Sequence, residues 1–360
     1  MIHPVAVIGG GLAGAAAALR LAQAGICPIW IAPRRGEGFK PGEHLGAAAV
    51  PLLKALGSDA LLRAEVHRLA HSTYSAWGSE TLIARDAILH LDGPPIVLDR
   101  GAFEDALTAQ ALAAGAKRIE QDVTAMRVAG HHWQLESDAG EIRAGFVLDA
   151  TGRKALVAAR CAPRFAADRL GCQYAVFSRS GTTPPRPVTL IEAEARGWWY
   201  LSALADGRAV VNFYTDTDLP AFENAALASQ ARQTRAIGAY LAEYGFAHCG
   251  PVRRIATNST WIAPAIGEGW VAVGDAAAAF DPLSSHGMTT ALWTALQAAE
   301  AFIAQDRAAM QTYAESVANG VQDYLRARRE VYAREARWPD SPFWARRHAD
   351  MPASPEAETA

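Results

Sequence analysis

Hydrophobic positions along the chain change their spacing several times, and each change marks an element. Pro4 to Ile8 is a short continuous apolar run, the pattern of a strand buried on both faces. Gly9-Gly10-Gly11-Leu12-Ala13-Gly14 breaks it, and Ala15 to Ala24 then reads as an Ala/Leu-rich helix closed by Gly25. Ile26 to Ile31 is a second apolar run. Strand, glycine turn, helix and strand at this length predict a βαβ unit and a parallel sheet.

Arg34 to His71 is irregular, with a helix expected near Ala48–Leu56, and Arg100 to Gly115 has the spacing of an amphipathic helix. Val123–Val128, Trp133–Ser137 and Ile142–Asp149, parted by turns at Gly130 and Gly140, predict a three-stranded meander. More β-rich runs lie between Gly171 and Thr215, split by Gly181–Pro187, Gly197 and Asp206-Gly207. Phe222 to Tyr244 predicts a helix, Trp270–Val273 a strand stopped by Gly274, and about Gly287 to Arg337 a long helical region. A nucleotide-binding lobe thus begins, yields to a β-rich insertion, and resumes.

Composition narrows the class. The 360 residues are 51% hydrophobic and 20% charged, which excludes a disordered or fibrous chain, and the net charge of −3 calls for no polyanionic partner. Four cysteines, Cys27, Cys161, Cys172 and Cys249, form no C-x-x-C pair. Neither a metal site nor a disulfide framework is expected, and a reducing, cytoplasmic location fits. The first residues carry no basic region or cleavage signal. No apolar stretch reaches about 18 residues without a turn or a charge, so no membrane span is expected. Met351 to Ala360 reads as a disordered tail.

Three glycine-marked segments carry the chemistry. In Gly9-x-Gly11-x-x-Gly14, Gly9 permits the tight turn, Gly11 lets backbone approach a pyrophosphate, and Gly14 lets the helix pack on the strand. The helix start then offers N–H groups and the positive dipole end to phosphates. A carboxylate is expected at the end of the second strand, about 20 residues on, to bind a ribose. That place holds Ala32-Pro33-Arg34-Arg35, with Glu37 the nearest acid. Either arginine meets a 2′-phosphate, an NADP reading, or backbone atoms handle the ribose. The second segment is Asp149-Ala150-Thr151-Gly152-Arg153. The third is Gly274-Asp275-Ala276-Ala277, followed by Asp281-Pro282-Leu283-Ser284-Ser285-His286-Gly287. Both follow strand ends, where doubly wound sheets bind ligands. Asp275 can accept from sugar or ribityl hydroxyls, and the helix start at Gly287 can face a negative charge developing on a flavin ring.

This combination resembles the flavoprotein monooxygenases of the aromatic-hydroxylase fold. A narrower resemblance, to the tryptophan-halogenase-like branch, runs through Gly42-Glu43 with Leu45, Trp77-Gly78-Ser79, Leu98-Asp99-Arg100, Gly197-Trp198-Trp199-Tyr200 and Asp281–Gly287. It extends to Arg337-Trp338-Pro339-Asp340-Ser341-Pro342-Phe343-Trp344. That branch includes flavoproteins that modify a protein tryptophan during tryptophylquinone cofactor biogenesis. The resemblance implies an α/β (α+β overall) chain: a Rossmann-type FAD-binding domain, an inserted antiparallel β-sheet substrate domain and a C-terminal helical region. The expected divisions are an FAD-binding lobe over 1–165 with the meander at 121–149, a β-rich substrate lobe over 166–262, and the return of the FAD lobe over 263–305. A helical region over 306–348 and the tail at 349–360 complete the chain.

It further implies that FAD is held by Gly9, Gly11, Ala13 and Gly14, by Arg100 and Val123, by Asp149 and Gly152, by Gly274 and Asp275, and by Pro282, Ser285 and Gly287. The expected reaction is hydroxylation of an aromatic ring through a flavin hydroperoxide, on a tryptophan of a peptide or protein client. NAD(P)H, or reduced flavin from a partner reductase, would supply electrons; no second G-x-G-x-x-G follows a strand. The Trp-x-Trp-x-Ile-Pro element of flavin halogenases and their catalytic lysine find no match; the lysines are Lys40, Lys54, Lys117 and Lys154. Halogenation therefore ranks below hydroxylation. A flavin-binding maturation chaperone is the reading from another class.

Candidate catalytic residues are His286, Trp199 and Glu43. His286 stands where relatives often carry glutamine, and histidine is a side chain suited to proton relay. Trp198 and Trp199 alternate across a strand, so at most one lines a pocket. Glu43 and His44 are candidates for the flavin's side. Arg326, Arg328, Arg329, Arg334 and Arg337 read as a solvated helix face, with docking of an acidic protein as the sharper alternative.

Overall fold

In the computed structural model the described residues are 1–349, 354 and 355, less 35, 37, 38, 71, 87–93, 139, 182, 221, 222, 224 and 225. The βαβ unit forms as its pattern predicts: strand Ile2–Ile8, helix Leu12–Gln23 and strand Ile29–Ala32. Ile2–Ile8 lies at the centre of an eight-stranded sheet, parallel to Gly140–Asp149 on one side and to Ile29–Ala32 on the other. Lys117–Glu120 extends the parallel run beyond Ile29–Ala32, and Trp270–Ala272 extends it beyond Gly140–Asp149. The carboxyl ends of these strands bring all three glycine-marked segments to one edge. The expected meander is present as Ala125–Ala129, His132–Ser137 and Gly140–Asp149.

Small side chains set how closely the first helix packs. Ala15, Ala16, Ala17 and Ala18 are almost wholly buried, and the helix packs against Gly287–Ala304 and Arg100–Ala113. A Cβ at Gly14 would collide with the Gly9 carbonyl oxygen, and one at Gly274 would lie 2.8 Å from Ala13 Cβ. Trp30, fully buried, donates from Nε1 to the same Gly9 oxygen at 2.8 Å and so ties the glycine turn to the second strand.

The second large sheet has seven strands, in the order Phe246–Ala256, Leu170–Arg179, Ala209–Asp216, Gly197–Ala203, Val188–Glu194, Ser72–Ala76, Ile83–Asp86. Two of these strands come from the span expected to belong to the first lobe, so the large sheet draws on both sides of the expected division at 165/166. Phe246–Ala256 escapes the pattern because Gly250-Pro251 interrupts it; the pairing register shifts opposite, between Tyr174 and Val176. One face of the sheet packs on Leu227–Gln233 and Ala236–Glu243, with Trp199 and Phe213 in that core. The other face carries Trp198, Tyr214, Tyr332, Phe343 and Trp344.

Two expected helices are each divided. Within Phe222 to Tyr244, Phe222 lies outside the described residues, and the helix breaks at Thr234, whose backbone is extended. Thr234 Oγ1 accepts from Gly238 N at 3.0 Å, and the Glu192 carboxylate accepts from the N–H groups of Arg235, Ala236 and Ile237. A strand carboxylate thus caps the second helix. The long region from Gly287 divides at Gln305, in the left-handed conformation, and Asp306 Oδ1 caps Arg307–Ala333 through Ala308 N at 2.8 Å. Of the expected disordered tail, Ala349, Ser354 and Pro355 alone are described, the last two pairing with Ala166 and Phe165. Among the described residues no helix is long and apolar enough to cross a membrane.

The candidate flavin site

A cavity of about 610 Å³ runs from the glycine loop to the seven-stranded sheet, a size suited to a cofactor or drug-sized ligand. Its nucleotide end is made of backbone. Gly9, at φ +122°, has no room for a Cβ against the Ala150 carbonyl, whereas the space beside Gly11 is open for 4 Å. Gly9 therefore serves the turn, and Gly11 leaves the bare backbone cradle a pyrophosphate needs. Gly11 is the N-cap of Leu12–Gln23, so helix N–H groups face the same space. These features fit FAD.

At the place of the missing acid, the neighbouring strand end contributes to the cavity wall. Beyond Ala32 the cavity wall is formed by Pro33 and, from the neighbouring strand end, Gln121, Asp122 and Val123. Ala32 pairs with Glu120, so the next residues of that strand stand where the second strand's own acid is missing. Arg35 and Glu37 lie outside the described residues.

Of the expected cofactor residues, Gly9, Gly11, Ala13, Arg100, Val123 and Gly152 line the cavity, as do Asp275, Pro282, Ser285 and Gly287. Gly14 and Gly274 sit behind it as packing glycines. Asp149 is a correction: fully buried, its carboxylate accepts from Thr151 N at 3.0 Å, Thr151 Oγ1 at 2.6 Å, Val157 N at 2.8 Å and Ala158 N at 2.9 Å. It shapes the Asp-Ala-Thr-Gly turn and leaves Thr151 and Gly152 to face the ligand. Arg153 joins this turn to the third segment, with Nε 3.8 Å from Asp275 and NH2 donating to Phe280 O at 3.1 Å. Ser285 adopts a left-handed conformation that turns the chain into the 18-residue helix Gly287–Ala304, whose start lines the cavity. Arg100 donates to Pro41 O at 2.6 Å and to Glu104 at 2.9 Å. Burial pushes the Glu104 carboxyl up, but Arg100 and Lys40 together hold it below the usual carboxylate range.

The far wall is built of side chains. Glu43, 2% exposed, accepts from Tyr200 OH at 3.0 Å and from Gly42 N at 3.1 Å. Burial and the Glu43 carboxylate push the Tyr200 hydroxyl well above its ordinary range, so it stays a donor. His44 Nε2 sits 3.1 Å from Ser202 Oγ and 3.0 Å from Thr189 Oγ1. Burial lowers its pKa, against Glu43 and with Arg68, which keeps the ring neutral near pH 7. Asn212 and Tyr214 complete this wall; Tyr214 stacks on Trp198 with ring centroids 3.9 Å apart. Asp281 also faces the cavity and accepts from Tyr332 OH at 2.6 Å, while Trp198 Nε1 donates to the same hydroxyl at 3.2 Å.

Two expected catalytic residues are not among the described lining residues. Trp199 is fully buried on the opposite sheet face, packed against Phe213 and donating to Glu194 at 3.0 Å. His286 is exposed at the N-cap of Gly287–Ala304, makes no capping bond, and is not among the described lining residues. Tyr200 was missed although the signal was there: two residues from Trp198 on one strand, it shares that face. Asn212, Tyr214 and Tyr332 carried no local signal, and Asp281 was read as the start of the third segment without a role of its own. The arginine-rich helix is not a uniformly solvated face either: Arg328 is 11% exposed and pairs with Asp168 at 3.1 Å. Among the described residues no group of His, Cys, Asp and Glu could hold a metal ion.

Comparison with known proteins decides the family. A family model described as tryptophan halogenase matches residues 95–360. The chain belongs to the tryptophan halogenase family. It is 28% identical, over 95% of its length and 96% of the relative's, to a Marinomonas mediterranea protein bearing the name FAD-dependent oxidoreductase LodB. Among solved structures it is similar to the peptidyl tryptophan dihydroxylase QhpG, essential for tryptophylquinone cofactor biogenesis. That match is 26% identical with a TM-score of 0.76 and covers 96% of this chain and 79% of QhpG. It shares its fold with the myxobacterial chondrochloren halogenase CndH, at a TM-score of 0.84, 21% identity and coverage of 96% and 86%. This family member is an FAD-dependent oxidoreductase with the mixed α/β fold of flavin monooxygenases and halogenases.

Proposed function

We propose that this oxidoreductase is a monooxygenase that hydroxylates an aromatic ring, that of a tryptophan held in a peptide or protein, during maturation of a quinone cofactor. The observation that carries the reading is the Glu43–Tyr200 pair, a buried carboxylate and a donor hydroxyl facing one cavity with the glycine cradle. The likeness to a peptidyl tryptophan dihydroxylase supports the substrate class. FAD would be held by the glycine loop, Arg100, Val123, Gly152, Asp275 and the Ser285–Gly287 turn, and when bound it supplies the chemistry that activates oxygen.

The protein's own groups do the rest. Glu43 accepts a hydrogen bond from the ring N–H and orients the ring. When a ring carbon gains oxygen, its hydrogen leaves as a proton, and Glu43 is the base placed to take it. Tyr200, kept protonated, holds the carboxylate in position. Tyr214 and the buried strands behind it keep water from the reacting ring.

Halide transfer is the second reading, favoured by the family's naming activity. Mass spectrometry of tryptophan-containing peptides incubated with the protein, FAD and either NADH, NADPH or chemically reduced FAD separates the two. A gain of one oxygen supports hydroxylation, and replacement of hydrogen by halogen supports the second reading. No modification under any reductant, by protein that shows a bound-flavin absorbance, overturns both. Comparing the reductants shows whether a nicotinamide suffices or a partner must deliver reduced flavin.

A further inference from the structure

We propose that a line of indole rings, Trp198, Trp77, Trp344 and Trp338, conducts oxidising equivalents from the cavity wall to the surface, where a soluble thiol quenches them. This second function protects the site from one-electron side reactions of oxygen. It goes beyond the hydroxylation reading and holds equally for halide transfer, since either reaction activates oxygen beside the same wall.

The line begins at Tyr214, which lines the cavity and stacks on Trp198 with the ring planes 17° apart. Trp198 meets Trp77 edge-on at 6.2 Å between centroids, Trp77 meets Trp344 at 5.3 Å, and Trp344 stacks against Trp338 at 6.2 Å. These are the spacings of aromatic rings in contact, so an electron passes directly from ring to ring. Trp198 and Trp344 are fully buried, whereas Trp338 is half-buried at the outer end. Tyr332, 5.7 Å from Trp77 and 6.0 Å from Trp344, offers a parallel step. Among the described residues both routes reach Trp338 through Trp344. The outer half of the line is the Arg337–Trp344 segment, for which the reaction itself has no use.

Packing alone does not ask for indoles here. A phenyl ring fills such space with no polar atom, whereas a buried indole N–H needs an acceptor. Trp77 Nε1 donates to Val331 O at 2.9 Å and Trp344 Nε1 to Glu194 O at 2.8 Å. Those carbonyls keep the proton on the ring. Trp198 differs, because its acceptor, the Tyr332 hydroxyl, itself donates to the Asp281 carboxylate. A proton displaced from Trp198 therefore has a path. Burial raises the Asp281 carboxyl above its ordinary range, with Arg328 opposing, and this favours proton uptake. At the outer end the Arg337 guanidinium lies 4.2 Å over the Trp338 ring but is neutralised by Glu335 at 2.5 Å.

The steps balance. An oxygen-centred radical in the cavity takes one electron from Trp198 and a proton from water, and becomes an alcohol or water. The Trp198 Nε1 proton moves to Tyr332 as the Tyr332 proton moves to Asp281. An electron from Trp77 refills Trp198, both protons step back, and the hole moves through Trp344 to Trp338. There a thiol gives up one electron and one proton, restoring the proton taken from water, and ends as half of a disulfide.

The test is blue-light flash photolysis of the FAD-loaded full chain, where the illuminated, oxidised cofactor serves as the one-electron oxidant. The parent is expected to show the visible absorption of a tryptophan radical whose lifetime glutathione shortens. Under continuous light in air, peptide mass spectrometry should find oxygen adducts at Trp338. Trp338→Phe removes a half-buried outer ring, keeps the flavin absorbance, and is expected to lose the effect of glutathione. Trp344→Phe should lose the adducts at Trp338 and gain them at Trp198 and Trp77. Trp338→Phe decides the matter if Trp344→Phe does not fold. A radical in the parent that ignores glutathione, or a Trp338→Phe protein that responds as the parent does, overturns the proposal. So does the absence of any tryptophan radical from protein with bound flavin, or adducts that stay at Trp338 in Trp344→Phe.

Discussion

The two ends of the cavity are made of different material. The nucleotide end is backbone: Gly9, Gly11 and Gly14 act by lacking a side chain, in a stretch six residues long. The far wall is side chains: Glu43 meets Tyr200 from 157 residues away, and Asn212 and Tyr214 come from the strand that pairs with Tyr200's own. The first end fails when an atom is added, the second when one is removed or moved.

Changes at Gly9 should have the largest effect. Gly9→Val forces a Cβ into the Ala150 carbonyl at a positive φ, and should cost about 5 kcal/mol or more together with all flavin binding. Thermal denaturation and the visible spectrum read both. On the side-chain half, Trp199→Ala should destabilise by about 3–5 kcal/mol, as expected for emptying a buried tryptophan site. Trp199→Phe should retain turnover, and a large loss of turnover in that variant would return Trp199 to the site. Glu43→Gln keeps an acceptor for Tyr200 but removes the base, so turnover should fall about a hundredfold with little change in melting temperature.

Gly11→Ala sharpens the contrast. No atom lies within 4 Å of the added methyl, so the cofactor-free protein should melt as the parent does while FAD affinity falls about tenfold. Equal losses at Gly9 and Gly11 would erase the distinction between a packing glycine and a ligand glycine.

The smallest effect concerns pH. His44 is lowered from the ordinary 6.5 by burial, with Glu43 opposing and Arg68 assisting. Below about pH 6.5 the unfolded chain binds a proton that the folded ring resists. This contribution to stability is therefore fully present above that pH and lost as pH falls toward the lowered folded value. Denaturant titrations from about pH 7 to about pH 5 should show the acid-side loss, and His44→Gln should reduce it.

The same division explains what was legible. The βαβ unit and the meander were readable because period and glycine turns are local properties, whereas the division before Asp306 was hidden by a helical period that runs on past it. The division at Thr234 was not readable either, since the capping carboxylate, Glu192, comes from a distant strand. Asp149 shows the limit of a motif: its position was read correctly, but both oxygens are spent on its own turn. Trp198 and Trp199 were known to face opposite ways, yet strand alternation cannot say which face meets the cavity. Register with Tyr214 and Phe213 settles it.

By itself, then, the sequence determined the parallel sheet, the three glycine-marked segments and their common edge, because those depend on where a Cβ is forbidden and where a strand stops. The tertiary structure alone decided the wall opposite. It placed Glu43 beside Tyr200, put Trp199 in the core and aligned Ile255 with Tyr214, because contacts between residues distant in the chain follow from register and packing, which no local pattern encodes.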